Sequence, residues 1–330
     1  MNNFDGRMPS IEVIMKKILF IIDKIELKYF EFNNLVTNFW LIKEFLDRGN
    51  EVYVSINSLL SLKGKKAFSK CYRSFLENNN IFYDKNIQEK EIDNFDLVLF
   101  RPDPPVDIDY INATYIFDFV TTKVVNSPMS IRNFNEKLHS LYFEEYMTNS
   151  IVTSSLYDIE EFLFENKQIV LKPLNRCFGS GVMYLYHGDP NTRTIINTLT
   201  NNETSAIMIQ KFIPNVKNGD IRVLTLGNKI LPYSIKKLPS GDDFKFNTHN
   251  DNFLVKTELT KSEIQYFTPI AEKLNDLGIL MAGLDVIDNK IIEINVTSPC
   301  YFIKEINNAY KVSLEQEICD YLLTPTLLSL

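Results

Sequence analysis

The chain is poor in the residues that announce thiolate-metal, disulfide or hydrolase chemistry. Its four cysteines (Cys71, Cys177, Cys300 and Cys319) are scattered, with no CxxC pair and no paired histidine. That pattern speaks against a zinc site and a disulfide framework, and it fits a reducing, cytoplasmic setting. Only three histidines occur, His139, His187 and His249, each isolated, and no Ser, His, Asp order recommends a catalytic triad. Positive charge is short as well: 35 Lys and Arg against 42 Asp and Glu leave a formal charge of −7. A nucleic-acid partner, which wants clustered basic excess, is therefore not expected. No apolar run reaches membrane-spanning length. The run ILFII after Lys16 and Lys17 is cut by Asp23 and is too short for a signal-peptide core, so a soluble, unexported protein with no membrane partner is expected. Internal repeats are absent, and no GxGxxG follows the first apolar run, which discounts a nicotinamide fold.

What is present reads as an ordinary globular chain, 45% hydrophobic and 23% charged over 330 residues, long enough for two or three lobes. KKILFIID (16–23), a helical spacing at Leu35, Phe39, Ile42 and Leu46, Gly49 as a stop and EVYVSI give strand, helix, strand, the unit of a parallel α/β sheet. SLKGKKAFSKCYRSFLENNN is expected to be a solvated helix and loop. DLVLFRPDPPVD gives a buried strand ended by prolines, with Arg101 and Asp103 at its carboxyl end facing either a ligand or a salt bridge that pins the turn. IDYINATYIFDFVTT is expected to be a helix, VVNSP a short strand, and SIRNFNEKLHSLYFEEYM a second helix on which Lys137, taken alone, is a surface lysine.

IVLKPLNRCFGSGVMYL differs in kind. A strand carries Lys172 into a turn and a loop with Gly179 and Gly181, then a second strand; such a hairpin either lays N–H groups and a lysine on a phosphate or is a plain glycine turn. AIMIQKFIP is a strand, NGDIRVLTLGNKILPYSIKKLP a hairpin turning at Gly227 and Asn228 with Arg222 projecting from it, and 240–253 a polar aperiodic loop. SEIQYFTPIAEKLNDLG and SLEQEICDYLL are helices. Between them GLDVID and IIEINVTSP place Asp285, Glu293 and Asn295 on two short strands. Two acids and an amide oxygen on one strand face suit Mg²⁺ beside a phosphate, or are the polar edges of ordinary strands.

Taken in order, LFRPDPPVDIDYINATYIFD, VNSPMSIRNFNEKL, IVLKPL, QKFIPNVKNGDIRVL and GLDVID with IIEINVTSP resemble the bacterial glutathione synthetase family of the ATP-grasp superfamily, over residues 16 to about 323. The resemblance implies an α/β protein with an ATP-grasp fold: an extension over 1–15, a Rossmann-like substrate lobe over 16–125, a central lid over 126–205 and a catalytic lobe over 206–330. It implies that Lys137, Lys172, Gly179 and Gly181 meet ATP phosphates, that Gln210, Lys211, Phe212 and Ile213 form the adenine strand, and that Asp220 and Arg222 lie beside the phosphate and acyl site. Asp285, Glu293 and Asn295 would hold Mg²⁺, or Mn²⁺ in its place. Lys245 would join Arg222 in catalysis, and Arg101, Asn247, Ser298 and Lys304 would meet substrate. The implied reaction is ATP-dependent joining of a carboxylate to an amine through an acyl phosphate, from amino-acid or dipeptide substrates, in a cytoplasmic homo-oligomer.

The chain departs from the family pattern where the substrate would sit. NRCFGSG puts Arg176 and Phe178 where consecutive glycines are expected, KFNTHNDN stands for an Arg-Gly-Asn and small-residue run, LVTN replaces a polar entry to the first helix, and CYFIKEI is one residue longer, with Lys304 for arginine. Three readings follow: a glutathione synthetase, an ATP-grasp ligase for another carboxylate and amine, or a catalytically silent nucleotide-binding module.

Overall fold

The computed structural model describes residues 15–23, 36–177, 179–239, 254–324 and 327. Lys245, Asn247, Phe178 and the 240–253 loop lie outside them, as does the extension before Met15. Within the described residues the chain builds three sheets.

The first sheet begins with β1 (Lys17–Ile21), α1 (Thr37–Asp47) and β2 (Glu51–Ser55). It continues with β3 (Leu60–Lys63), β4 (Lys66–Glu77), β5 (Asn80–Tyr83), β6 (Gln88–Glu91), β7 (Leu97–Phe100) and β8 (Val124–Val125), in the order β3-β4-β2-β1-β7-β8 with β5 and β6 also on β4. The β1 and β7 strands pair in parallel at the centre and are buried along almost their whole length, which is why both read as unbroken apolar runs. The stretch expected to be a solvated helix, 61–80, is instead β3, β4 and β5. Buried Ala67, Ser69 and Cys71 alternate with exposed or half-buried neighbours, a period of two that the cluster of lysines and arginines masks.

After β7 come α2 (Ile108–Ile116) and, beyond β8, α3 (Pro128–Asn133). The single helix expected over 130–147 is broken: α3 stops at Asn133, and a 3-10 segment follows over Leu138–Tyr146. Asn135 explains the interruption, because its Oδ1 accepts the N–H groups of Lys137 (3.1 Å) and Leu138 (2.9 Å) and so turns the chain locally.

The second sheet contains β9 (Ser150–Thr153), β10 (Gln168–Pro173), β11 (Met183–Tyr186) and β12 (Ile207–Lys211), ordered β11-β10-β12-β9 and antiparallel throughout. Helices α4 (Leu156–Asn166) and α5 (Thr192–Leu199) cover it. The β12 strand, which the sequence reading puts at the start of the third lobe, is hydrogen-bonded into this sheet.

The third sheet holds β13 (Asp220–Leu226), β14 (Lys229–Lys237), β15 (Leu254–Glu258), β16 (Met281–Ile287) and β17 (Lys290–Asn295), ordered β15-β14-β13-β16-β17. Helix α6 (Lys261–Asp276) opens with a capping box between Thr260 and Glu263 and packs Phe267, Ile270, Ala271 and Leu274 inward. The chain closes with α7 (Ile303–Tyr310) and α8 (Leu314–Leu322). No helix among the described residues is long and apolar enough to cross a membrane.

Candidate active site

Cross-strand register builds the centre of the site. Arg222 on β13 lies opposite Asp285 on β16, Asp285 opposite Glu293 on β17, and Asp220 opposite Lys237 on β14. Residues directly opposite share a face, so one face of the third sheet carries Arg222, Asp285 and Glu293 in one row and Asp220 and Lys237 in the next. Asp285 is its hub. Its Oδ1 accepts from Arg222 Nε (2.8 Å) and Lys237 Nζ (2.9 Å), and its Oδ2 from Arg222 Nη2 (3.1 Å) and Asn295 Nδ2 (3.0 Å). Burial alone would raise this carboxyl, but Arg222 and Lys237 outweigh burial and hold it well below the usual carboxylate range.

The Asp220 carboxyl takes the opposite course. It is almost fully buried with Lys237 as the one group bonded to it among the described residues, at 2.7 Å, and burial pushes it up to about 6 against the pull of that lysine. Its Oδ1 is buried without a hydrogen-bond partner among the described residues.

Arg222 is held from several sides. Nη1 donates to the Cys300 carbonyl (3.1 Å), the Phe302 ring lies 5.8 Å from the guanidinium, and the side chain crosses Gly283. An ideal Cβ at position 283 would lie 2.8 Å from Arg222 Cδ and 2.9 Å from Nη1, so the missing side chain is what lets the arginine lie flat on β16.

The segment Asn135-Glu136-Lys137 brings the site its next cation. Asn135 Nδ2 donates to Leu174 O (2.9 Å), and Glu136 Oε1 accepts from Val296 N (2.7 Å), Thr297 N (3.0 Å) and Thr297 Oγ1 (3.1 Å), pinning the segment to the end of β17. Lys137 is consequently buried, not a surface residue, and its Nζ sits 2.9 Å from Glu293 Oε1 and 2.6 Å from Arg176 O. Lys172 arrives from β10. The ladder between β16 and β17 slips between Asp285 and Val286, leaving Ile292 as an extra residue, and Lys172 Nζ donates to the Ile292 carbonyl at 2.9 Å. Burial draws the Lys172 ammonium down to about 8, with Glu293 opposing.

The structure thus brings Lys137, Lys172, Asp220, Arg222, Asp285, Glu293 and Asn295 together. Gln210 is buried at the end of β12, where its Nε2 donates to Ser150 Oγ (3.3 Å); Lys211 is exposed, Phe212 meets Tyr184 edge to face, and Ile213 leads out of the strand. Gly179 and Gly181 adopt positive φ in the hairpin loop. Arg101 stands apart from the charge row, donating to Asn38 Oδ1 (2.6 Å) and to the Pro299 carbonyl (2.9 Å), and thereby ties α1 to the segment after β17. Ser298 hydrogen-bonds Asp103, and Lys304 lies in the first turn of α7.

Sequence reasoning missed Lys237 and Glu136. The signal for Lys237 was its inward position two residues after buried Ile235; Lys236 beside it hides the alternation.

Among the described residues no three His, Cys, Asp or Glu side chains are grouped to hold a metal. The donor set fits a hard divalent cation nonetheless: two carboxylates are register partners, Asn295 donates through its nitrogen and so has its oxygen to offer, and Asp220 Oδ1 is an orphaned acceptor nearby.

Residues 16–132 match the family described as prokaryotic glutathione synthetase, N-terminal domain, and residues 136–311 match its ATP-grasp domain. The chain is 36% identical over 296 residues to the glutathione synthetase of Buchnera aphidicola subsp. Schizaphis graminum, covering 87% of this chain and 91% of that one. It is 34% identical over 289 residues to the glutathione synthetase of Vibrio parahaemolyticus serotype O3:K6, covering 86% and 91%. Among solved structures, a D-cycloserine synthetase superposes with a TM-score of 0.66 at 14% identity over 93% of this chain and 98% of that one. An ATP-grasp ligase complexed with a minimal precursor gives 0.61 at 14% identity over 93% and 98%. At that identity the two share the fold.

Proposed function

The chain belongs to the prokaryotic glutathione synthetase family, and from that premise we propose that it joins γ-glutamylcysteine to glycine at the expense of ATP. It is an ATP-dependent ligase that forms an amide bond from small-molecule substrates, and its family uses ATP with a divalent metal. We assign that metal as Mg²⁺, held by Asp285, Glu293 and the Asn295 oxygen; when bound it would screen the phosphate oxygens. A homo-oligomer belongs to the same reading, on family likeness.

The observation that carries the reading is the meeting of Lys137 and Lys172 with the Asp285–Glu293 pair: Lys137 is 2.9 Å from Glu293, and Lys172 is bonded to the carbonyl of the residue just before it. Both lysines are held by groups that a triphosphate would outbid in charge, so ATP would take them over. In this reading the purine lies at Gln210 to Ile213, and Gly179 and Gly181 allow the hairpin backbone to approach the phosphates. Asp220 shares Lys237 with Asp285 at the phosphate end. Arg222 and Lys237, fixed by Asp285, face the acyl end, and Lys245 is assigned to catalysis with Arg222 on family likeness. Arg101, Ser298 and Lys304 serve the substrate around Pro299, and Asn247 is assigned to substrate on family likeness.

The chemistry explains the residue types. A dipeptide carboxylate oxygen attacks the γ-phosphorus, the bond to the β–γ bridging oxygen breaks, and ADP leaves with that electron pair. The amine of glycine then attacks the acyl carbon, phosphate departs, and the ammonium proton is lost. Both steps join groups of like charge or expel an anion, so positioned cations supply most of the acceleration and no histidine base is required.

The test offers the purified protein Mg·ATP with γ-glutamylcysteine and glycine, then a panel of other amino acids and dipeptides, following phosphate release and product mass. Turnover with the first pair is expected. Turnover only with another pair would replace the substrate assignment, and nucleotide binding without any turnover would make the chain a silent module.

A further inference from the structure

Four cations of the site are each tied down in the structure: Lys137 by Glu293, Lys172 by a carbonyl, and Arg222 and Lys237 by Asp285. Arg176 differs. It is exposed, and among the described residues its guanidinium has neither an ion pair nor a hydrogen bond. Its main chain nevertheless belongs to the site, because its carbonyl accepts Lys137 Nζ at 2.6 Å, one bond away from Glu293.

The hairpin that carries Arg176 is seated, not splayed outward. Asn135 Nδ2 holds Leu174 O at 2.9 Å, two residues before it, and Cys177 Sγ donates to Pro104 O at 3.6 Å, one residue after it. The arginine side chain folds back over Gly181 and beside Pro173, the residue that follows Lys172: a Cβ on Gly181 would lie 2.9 Å from Arg176 Nη1, 3.3 Å from its Cδ and 3.1 Å from Pro173 Cγ. The guanidinium therefore lies across the mouth of the hairpin, alongside the strand end that delivers one lysine, while its own carbonyl meets the other.

We propose that Arg176 binds the terminal phosphate of ATP, adding a lid-borne guanidinium to the lysines. The planar fork suits two phosphate oxygens at once, which an ammonium does not. A cation placed there meets the charge on the phosphoryl group during its transfer, the service that an arginine supplied in cis performs in other phosphoryl-transfer enzymes. An exposed arginine gives up little by waiting in solvent, whereas the buried lysines must be held by protein groups until nucleotide arrives.

This proposal rests on the ATP reading above, and nucleotide titration separates the two. Calorimetry would measure binding of Mg·ADP and of Mg·adenylyl imidodiphosphate to the parent protein, Arg176→Ala and Arg176→Lys, with thermal unfolding run in parallel to confirm that the folds match. Because only the imido analogue carries a third phosphate, Arg176→Ala should lose about tenfold or more in affinity for it and stay within about twofold for ADP, as expected for a charge-assisted hydrogen bond. Arg176→Lys should recover part of the loss. If the alanine variant keeps the parent's ratio of the two affinities, Arg176 is a solvated surface residue and the proposal fails alone. A parent that binds neither nucleotide overturns the ATP reading and this proposal together.

Discussion

Charge in the site is managed residue by residue, by how many donors each acid has and how deeply each cation is buried. Asp285 has four donors and stays ionised; Asp220, with Lys237 as its bonded cation, is pushed up to about 6. Lys172 carries the clearest cost. It is 8% exposed, its ammonium donates to one carbonyl among the described residues, and burial lowers it from 10.5 to about 8. A lysine whose folded-state value is depressed keeps its proton longer in the unfolded chain, so the unfolded state binds more protons between pH 8 and 10.5 and stability rises across that window. The penalty carried below pH 8 is on the order of 3 kcal/mol. Lys172→Met is therefore expected to be more stable than the parent in urea at pH 7 without nucleotide, and the difference should shrink as pH approaches 10. A constant difference over that range would show that Lys172 is not the titrating group. If Lys172 meets a phosphate of ATP as proposed, the same substitution should abolish ATP turnover while the fold gains stability.

At the scale of elements, the third sheet is joined to its neighbours by polar staples that no periodicity reveals. Asn126, just past β8, uses its whole amide: Nδ2 donates to Met281 O (2.7 Å) and Val296 O (2.8 Å), and Oδ1 accepts from Leu280 N (2.9 Å) and Met281 N (2.8 Å). Replacing it with alanine would strand four buried main-chain groups, so Asn126→Ala is expected to cost about 3 kcal/mol or more in urea unfolding, against well under 1 for an exposed asparagine. The apolar runs that became β1, β7, β10, β12 and β16 were legible because burial on both faces leaves an unbroken signature, and the row Asp285, Glu293, Asn295 was legible because strand spacing puts Glu293 and Asn295 on one face. What stayed hidden was non-local. The β4 strand is stabilised by partners on both sides, which overrode its basic, helix-like composition. Lys137 looked like any helical surface lysine because nothing nearby in sequence tells that Glu136 will be captured by the N–H groups of residues 160 positions away. Lys237 becomes a site residue only once β13 and β14 are in register.

On the scale of the whole molecule, the distribution of apolar contacts divides the chain differently from its sheets. One core contains Ile18, Phe20, Val52 and Val54 of the first sheet together with Leu224, Leu226 and Ile235 of the third and Tyr301, Ile306 and Ile318 beyond it, so these two parts stand or fall together. The second sheet has a small core of its own, with Ile159, Phe162, Leu163, Ile169, Leu171, Leu185, Ile196, Ile207 and Ile209, and it meets the remainder through Met208, Val152 and Leu174 and through the polar links of Lys172, Asn135 and Cys177. A unit attached through a few apolar side chains and polar links opens at lower free energy than one sharing a large apolar core. Hydrogen exchange without nucleotide should therefore proceed faster in α4, β10, β11 and α5 than in β13 and β16, although all of these are regular elements. Saturating Mg·ATP should slow exchange most in the 174–182 hairpin and the strands of the second sheet, with little change in the shared core, if phosphate then bridges the lysines and the hairpin as proposed. Equal protection across the three sheets without nucleotide would mean that the second sheet is not an independent unit, and that access to the site must come from another part of the chain.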